Sequence, residues 1–286
     1  MRDEPPGFVE TPPRRRGLIR PQVLPTALTL GNLFCGFLAI AKASDAMAAP
    51  HIEGGGGPAQ MIDLLAYSGG LIFLGMVFDA LDGSVARMSG GTSAMGGVLD
   101  SLADVVTFGA APAFLAKCIA EGPGRMPDHK MTLYFSVFFA LMAAIRLARY
   151  SSRISDPEEA HLWFEGLPTP GAAAVIAGLA LLLPDRDLRP EGAILRLLPW
   201  ATLVLGFLMV SHLPYAHATN RFLRGRKPVQ YLVAGTVVLV LALTFHWQAA
   251  LAAACLAYAL SGPVVALFRR RKRNAPAPAP VQGGER

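Results

Sequence analysis

The chain alternates between long apolar runs and short polar breaks. Runs of about 20 apolar residues, the length a helix needs to cross about 30 Å of hydrocarbon, fall near residues 23–43, 61–82, 95–120, 131–150, 168–184, 195–214, 229–247 and 249–268. This pattern predicts an all-α integral membrane protein of about eight transmembrane helices. The last two runs are separated only by His246, Trp247 and Gln248, which suits a hairpin at the membrane interface, and the fifth is short and carries Pro170 and Gly171. The ends differ in kind: residues 1–20 are rich in Pro and Arg, and residues 269–286 pass from a basic cluster into a Pro- and Ala-rich tail that cannot build a core. The expected organisation is therefore an N-terminal segment 1–20, a polytopic membrane domain 21–268 and a disordered basic tail 269–286. The tract Gly54 to Gly57 is expected to be a flexible loop, and neither an internal repeat nor a soluble domain is visible.

Composition agrees with the pattern. Of 286 residues, 53% are hydrophobic and 16% charged, against roughly 25% charged in soluble domains; disorder and an ordinary soluble enzyme are both disfavoured. Cys35, Cys118 and Cys255 lie in apolar stretches and are expected to be buried free thiols. Charge sets the orientation. With the N-terminus in the cytoplasm, nineteen Lys and Arg fall on the cytoplasmic side, including Arg14 to Arg16, Arg87, Arg146, Arg149, Arg153, Arg221 to Lys227 and Arg269 to Arg273. Five fall opposite: Arg125, Lys130, Arg186, Arg189 and Arg196. The positive-inside rule then puts both termini in the cytoplasm, with an even number of spans. Arg14 to Arg16, the apolar run and the alanines near 43–49 also fit a cleaved leader, but the first run carries a polar stripe that a disposable segment does not need. Trp163, Trp200 and Trp247 suit interfacial anchors, as do His212 and His217.

The chemistry lies in acids placed where hydrocarbon is expected. Each charge at mid-bilayer costs at least about 2.5 kcal/mol on insertion scales, so such residues point to function. The second run ends FLGMVFDALDGSVARM, and the third opens AMGGVLDSLADVVTFGAAPAF. Asp79, Asp82, Gly83 and Ala86 stand at i, i+3, i+4 and i+7, one face of one helix. Gly96, Asp100 and Asp104 stand at i, i+4 and i+8 on the next, after a turn rich in Gly and Ser. All four carboxylates can therefore face one cavity at the cytoplasmic end of the hairpin. Unpaired, they would repel one another and shift toward protonation; two divalent cations relieve this. Hard oxygen ligands favour magnesium, manganese or calcium, and there is no Cys/His cluster to favour zinc. Two such ions form the usual clamp for displacement at phosphorus. Asp82 beside Gly83 would by itself suit a helix end, but four acids on two coherent stripes do not.

The string D-x2-D-G-x2-A-R-x8-G-x3-D-x3-D resembles the signature of the CDP-alcohol phosphatidyltransferases, with every position filled: Asp79, Asp82, Gly83, Ala86, Arg87, Gly96, Asp100 and Asp104. LPTALTLGNLFCGFLAI, TFGAAPA, IRLARY, FEGLPTPGAA and LMVSHLPY resemble the bacterial and archaeal phosphatidylserine synthase branch, so the likeness covers a catalytic core of about 22–216. It implies a homodimeric enzyme of the cell (inner) membrane, with its active site at the cytoplasmic end of helices 1–4. That enzyme would use Mg2+ or Mn2+ (two ions) to transfer phosphatidyl from CDP-diacylglycerol to L-serine, releasing CMP. Carried over residue by residue, the resemblance makes Asp79, Asp82, Asp100 and Asp104 the metal ligands, with Asp104 also the general base. Thr29, Asn32, Gly83, Ala86, Arg87 and Gly96 would lie along CDP-diacylglycerol. Arg146 and Arg149 are candidates for the serine carboxylate or a lipid phosphate, since Arg clamps such anions bidentately; a positive-inside anchor is the plainer reading of both. Other acceptors (glycerol 3-phosphate, inositol phosphate or choline) remain open. An intramembrane prenyltransferase would show two distant Asp-rich motifs, and an ion-coupled transporter an inverted repeat; neither pattern is present. Nothing in the chain points to nucleic acid.

Overall fold

A computed structural model describes residues 23–51, 57–88, 94–122, 129–153, 166–184, 191–213, 215 and 247–273. Within them all regular structure is helical: α1 (Val23–Ala48), α2 (Gly57–Met88), α3 (Ala94–Asp104), α4 (Ala111–Glu121), α5 (His129–Arg153), α6 (Thr169–Leu182), α7 (Glu191–Val210) and α8 (Trp247–Arg273), plus a short 3-10 turn at Ala49–His51. A π-helical turn, Val105–Ala110, fuses α3 and α4 into one rod. Five rods are long and apolar enough to cross a membrane: Val23–His51, Gly57–Val85, Met95–Glu121, Lys130–Arg149 and Trp247–Leu267. The protein is thus a multi-pass membrane protein by length and composition. Helices α6 and α7 contribute shorter apolar stretches, Thr169–Leu182 and Arg196–Val210. The expected seventh span, near 229–247, lies outside the described residues but for Trp247, as do the N-terminal segment, residues 274–286, Trp163 and His217; residues 269–273, expected in the disordered tail, instead continue α8 as helix.

Side-chain size is distributed as lipid requires. The buried positions are mostly small: Ala39, Ala43 and Ala46 on α1, Ala111, Ala113, Ala116 and Ala120 on α4, and Ala172, Ala173, Ala177 and Ala180 on α6. Large apolar side chains point outward, among them Phe34 and Phe37 on α1, Tyr134 and Leu141 on α5, and Trp200 and Phe207 on α7. Lipid tails are as apolar as leucine, so helices gain by close backbone approach rather than by hiding bulk. Cys35 and Cys118 are buried and Cys255 is half-buried, all as free thiols.

Antiparallel α1 and α2 form the central pair, with the Ser68 hydroxyl donating to Ala39 O at 2.8 Å. The α3–α4 rod runs parallel to α1, and α5 returns antiparallel to that rod. Ser101 meets Ser151 at 3.1 Å, and a Cβ at Gly109 would lie 3.3 Å from the Ala143 methyl. These two contacts share one register, which sets Arg146 opposite Val106 and Arg149 opposite Ala103. Before α6 the chain turns through Gly166 at φ +86°, where a Cβ would lie 2.5 Å from Met209 O and 2.8 Å from Ser211 O, so no side chain fits. Helix α8 closes the bundle against α6. The Tyr215 hydroxyl donates to Ala259 O at 2.8 Å, and the Tyr258 ring lies where a Cβ on Gly171 would stand.

The π turn has a local cause. Pro112 has no amide to give back to Phe108, so the α-helical ladder cannot run through this point. The Ala111 amide reaches Val106 O, five residues back, and the rod widens for one turn before α4 resumes.

Candidate active site

The acids gather at one end of the bundle. Asp79 and Asp82, one turn apart near the end of α2, meet Asp100 of α3, with one carboxylate oxygen from each lying within 4.8 Å of the others. Asp104 is not part of this group of three; it stands one turn further along the rod. Among the described residues no Lys or Arg pairs with any of the four. Two ion pairs among the described residues, Lys42–Asp45 and Lys117–Glu121, are local pairs of neighbouring turns in α1 and α4.

Helix α1 supplies neutral donors to this end. Thr29, buried, donates from Oγ1 to Asp82 Oδ2 at 3.0 Å, with Pro25 O as a second acceptor at 3.1 Å. Fully buried Asn32 donates from Nδ2 to Asp104 Oδ1 at 3.1 Å. Both side chains, expected along the nucleotide, thus engage carboxylates directly. Gly83 follows Asp82 on α2 and Gly96 stands on the first turn of α3, both half-buried. Ala86 and Arg87 belong to the final turns of α2, and their side chains fall outside the described residues, as does the turn joining α2 to α3.

A divalent cation suits these donors. Asp100 Oδ1 is buried with no hydrogen-bond partner among the described residues, as is Asn32 Oδ1. Three hard carboxylates, clustered and unpaired with any basic side chain among the described residues, form the ligand set that magnesium or manganese prefers.

The two candidate arginines diverge. Arg146 is half-buried and donates from Nη1 to Thr169 Oγ1 at 3.2 Å, at the start of α6. Arg149 is exposed. Their register places both at the level of Asp104.

Thr107, which the sequence shows only as part of TFGAAPA, is buried one turn from Asp104, and its hydroxyl donates to Asn32 O at 3.0 Å. A polar residue inside the apolar run between Asp104 and Pro112 was the available signal. Thr169, inside FEGLPTPGAA, was likewise visible but had no partner until the fold supplied Arg146.

The family model described as CDP-alcohol phosphatidyltransferase matches residues 22–209, which contain every one of these side chains. The chain belongs to the CDP-alcohol phosphatidyltransferase family. Among its relatives is the CDP-diacylglycerol–serine O-phosphatidyltransferase of Methanocaldococcus jannaschii, 32% identical over 202 residues, which are 71% of this chain and 85% of that protein. The enzyme of the same name from Helicobacter pylori is 38% identical over 148 residues, 51% of this chain and 58% of that protein. That from Saccharomyces cerevisiae is 40% identical over 114 residues, 38% of this chain and 39% of that protein. The chain thus matches most of the archaeal relative but little more than half of the Helicobacter one.

Proposed function

We propose that the protein transfers the phosphatidyl group of CDP-diacylglycerol to the hydroxyl of L-serine, giving phosphatidylserine and CMP. The observation that carries this reading is the meeting of Asp79, Asp82 and Asp100 within 4.8 Å, inside the stretch that matches the family. Serine as acceptor follows the names of relatives 32–40% identical to this chain.

In this reading Asp79, Asp82 and Asp100 hold divalent ions, Mg2+ or Mn2+, with Asp104 completing a two-ion set. Bound ions would supply positive charge to the diphosphate and to the departing phosphate oxygen. The protein's own share is orientation and proton transfer. Asp104 accepts the proton of the serine hydroxyl as its oxygen bonds to the phosphorus carrying diacylglycerol; the bond from that phosphorus to the CMP oxygen breaks. Gly83, Ala86 and Gly96, small residues on the sequence stripes that carry the acids, would leave room for the nucleotide, and Arg87 would add charge for a phosphate. Arg146, held by Thr169, takes the serine carboxylate, with exposed Arg149 as a second contact.

The site lies at the cytoplasmic end of the membrane domain, in the inner membrane, with both termini cytoplasmic; the excess of Lys and Arg on that side supports this orientation. Residues 22–216 form the catalytic core, and the enzyme works as a homodimer, as the resemblance implies.

The test uses the protein in detergent micelles with CDP-diacylglycerol, Mn2+ and, separately, serine, glycerol 3-phosphate, inositol phosphate or choline. CMP release that depends on serine is the expected result. Release with another acceptor alone would replace serine and keep the chemistry, whereas no release with any acceptor would overturn the reading.

A further inference from the structure

We propose that Thr107, on the π turn, is a positioning residue for Asp104 and acts through Asn32; the proposal rests on Asp104 being the group that takes the hydroxyl proton. Asn32 is tied to the α3–α4 rod twice. Its carbonyl accepts the Thr107 hydroxyl at 3.0 Å and its side-chain amide donates to Asp104 Oδ1 at 3.1 Å. Asp104, Thr107 and Asn32 therefore close a ring in which the covalent rod is one side and two hydrogen bonds are the others. One oxygen of Asp104 is committed to the ring, and the direction of the other is set by it.

The slot around Thr107 is cut to this side chain. A methyl on Gly36 of α1 would lie 2.7 Å from Thr107 Cα, and one on Gly75 of α2 would lie 2.6 Å from Thr107 Cγ2 and 3.0 Å from Asn32 Oδ1. Glycine on both neighbours lets a β-branched residue wedge between them, hydroxyl toward α1 and methyl toward α2. The Asn32 carbonyl already has a place in the backbone ladder of α1. The bond from Thr107 is thus not required to satisfy a buried backbone group; what it adds is register between α1 and the acid-bearing rod. The π turn places the hydroxyl: it begins directly after Asp104, and π turns often occur at functional sites.

The test compares Thr107→Val, which keeps shape and removes the hydroxyl, with Thr107→Ser, which keeps the hydroxyl and removes the methyl. With serine and CDP-diacylglycerol as substrates, Thr107→Val is expected to lower kcat by about tenfold to a hundredfold, the scale of a misplaced reacting group, with KM for CDP-diacylglycerol within about twofold. Thr107→Ser should recover kcat to within about threefold of wild type, and both variants should unfold within about 5 °C of it in the same micelles without added metal. In an Asn32→Ala background, Thr107→Val should cost less than about twofold further, because residues that act through one another are not additive. Equal kcat for the Val and Ser variants would overturn the proposal, as would full additivity with Asn32→Ala or a fall in kcat matched by a collapse in thermal stability. Those failures occur in an active wild-type enzyme, whereas a wild-type protein releasing no CMP would overturn the underlying reading and this inference with it.

Discussion

Two pairs of carboxylates occupy one end of the bundle and are held in opposite ways. Asp82 and Asp104 each accept a hydrogen bond from α1, from Thr29 at 3.0 Å and Asn32 at 3.1 Å. Asp79 and Asp100 take no such bond from the described side chains, and Asp100 Oδ1 is buried without a hydrogen-bond partner among the described residues. A tethered carboxylate has a fixed direction and one oxygen already committed; an untethered one keeps its lone pairs for a cation. Helix α1 carries no charge at this end, yet it decides which acids are rigid. The division matches the proposed roles of Asp104, since proton transfer needs one atom in one place, and of Asp79 and Asp100, since ion binding needs open oxygens; Asp82, an ion ligand in the same reading, is tethered as well.

The contrast can be broken most directly at the open pair. Asp100→Asn is expected to reduce serine-dependent CMP release on the order of 10³-fold, with excess Mn2+ failing to restore it; near-normal release would show that the open oxygens hold nothing essential. Asp104→Asn should lower kcat by about 10²-fold or more, the usual share of a positioned base, while CDP-diacylglycerol still binds in an equilibrium assay. Thr29→Val removes a hydrogen bond to a charged acceptor, worth about 1.5–3 kcal/mol. Because its partner Asp82 also has Asp79 and Asp100 around it, the expected loss in kcat is only about tenfold, accompanied by a higher Mn2+ requirement. Arg146→Lys keeps the charge and loses the fork. It should raise KM for serine by about fivefold, roughly 1 kcal/mol of binding, and leave KM for CDP-diacylglycerol unchanged; an unaltered serine KM would return Arg146 to an anchoring role.

Much of the fold could be read from hydropathy, because a helix that crosses lipid must be apolar along its whole length. The runs near 23–43, 61–82, 95–120, 131–150 and 249–268 correspond to long helices, several of which extend past the apolar run at one end, α2 to Met88 and α8 to Arg273. Hydropathy carries no information about hydrogen-bond register, so the π turn inside the third run was invisible, although Pro112 marked where an α ladder must fail. The face of α2 bearing Asp79 and Asp82 was legible from spacing alone. What Thr29 and Asn32 do was not: periodicity tells which stripe a residue shares, and only packing tells whether that stripe meets a ligand or a neighbouring acid. Thr107 was hidden for the same reason, since its role depends on Gly36 and Gly75, far away in the chain.

The shortness of α6 has a physical corollary. Its 14 residues make a rod about 21 Å long, about 9 Å less than the hydrocarbon thickness it sits in. No residue of α6 is exposed, so its neighbours rather than lipid surround the short rod. A recess beyond its first turn, beside Thr169 and Arg146, would give a small hydrophilic alcohol a wet approach while the fatty chains of the other substrate stay immersed.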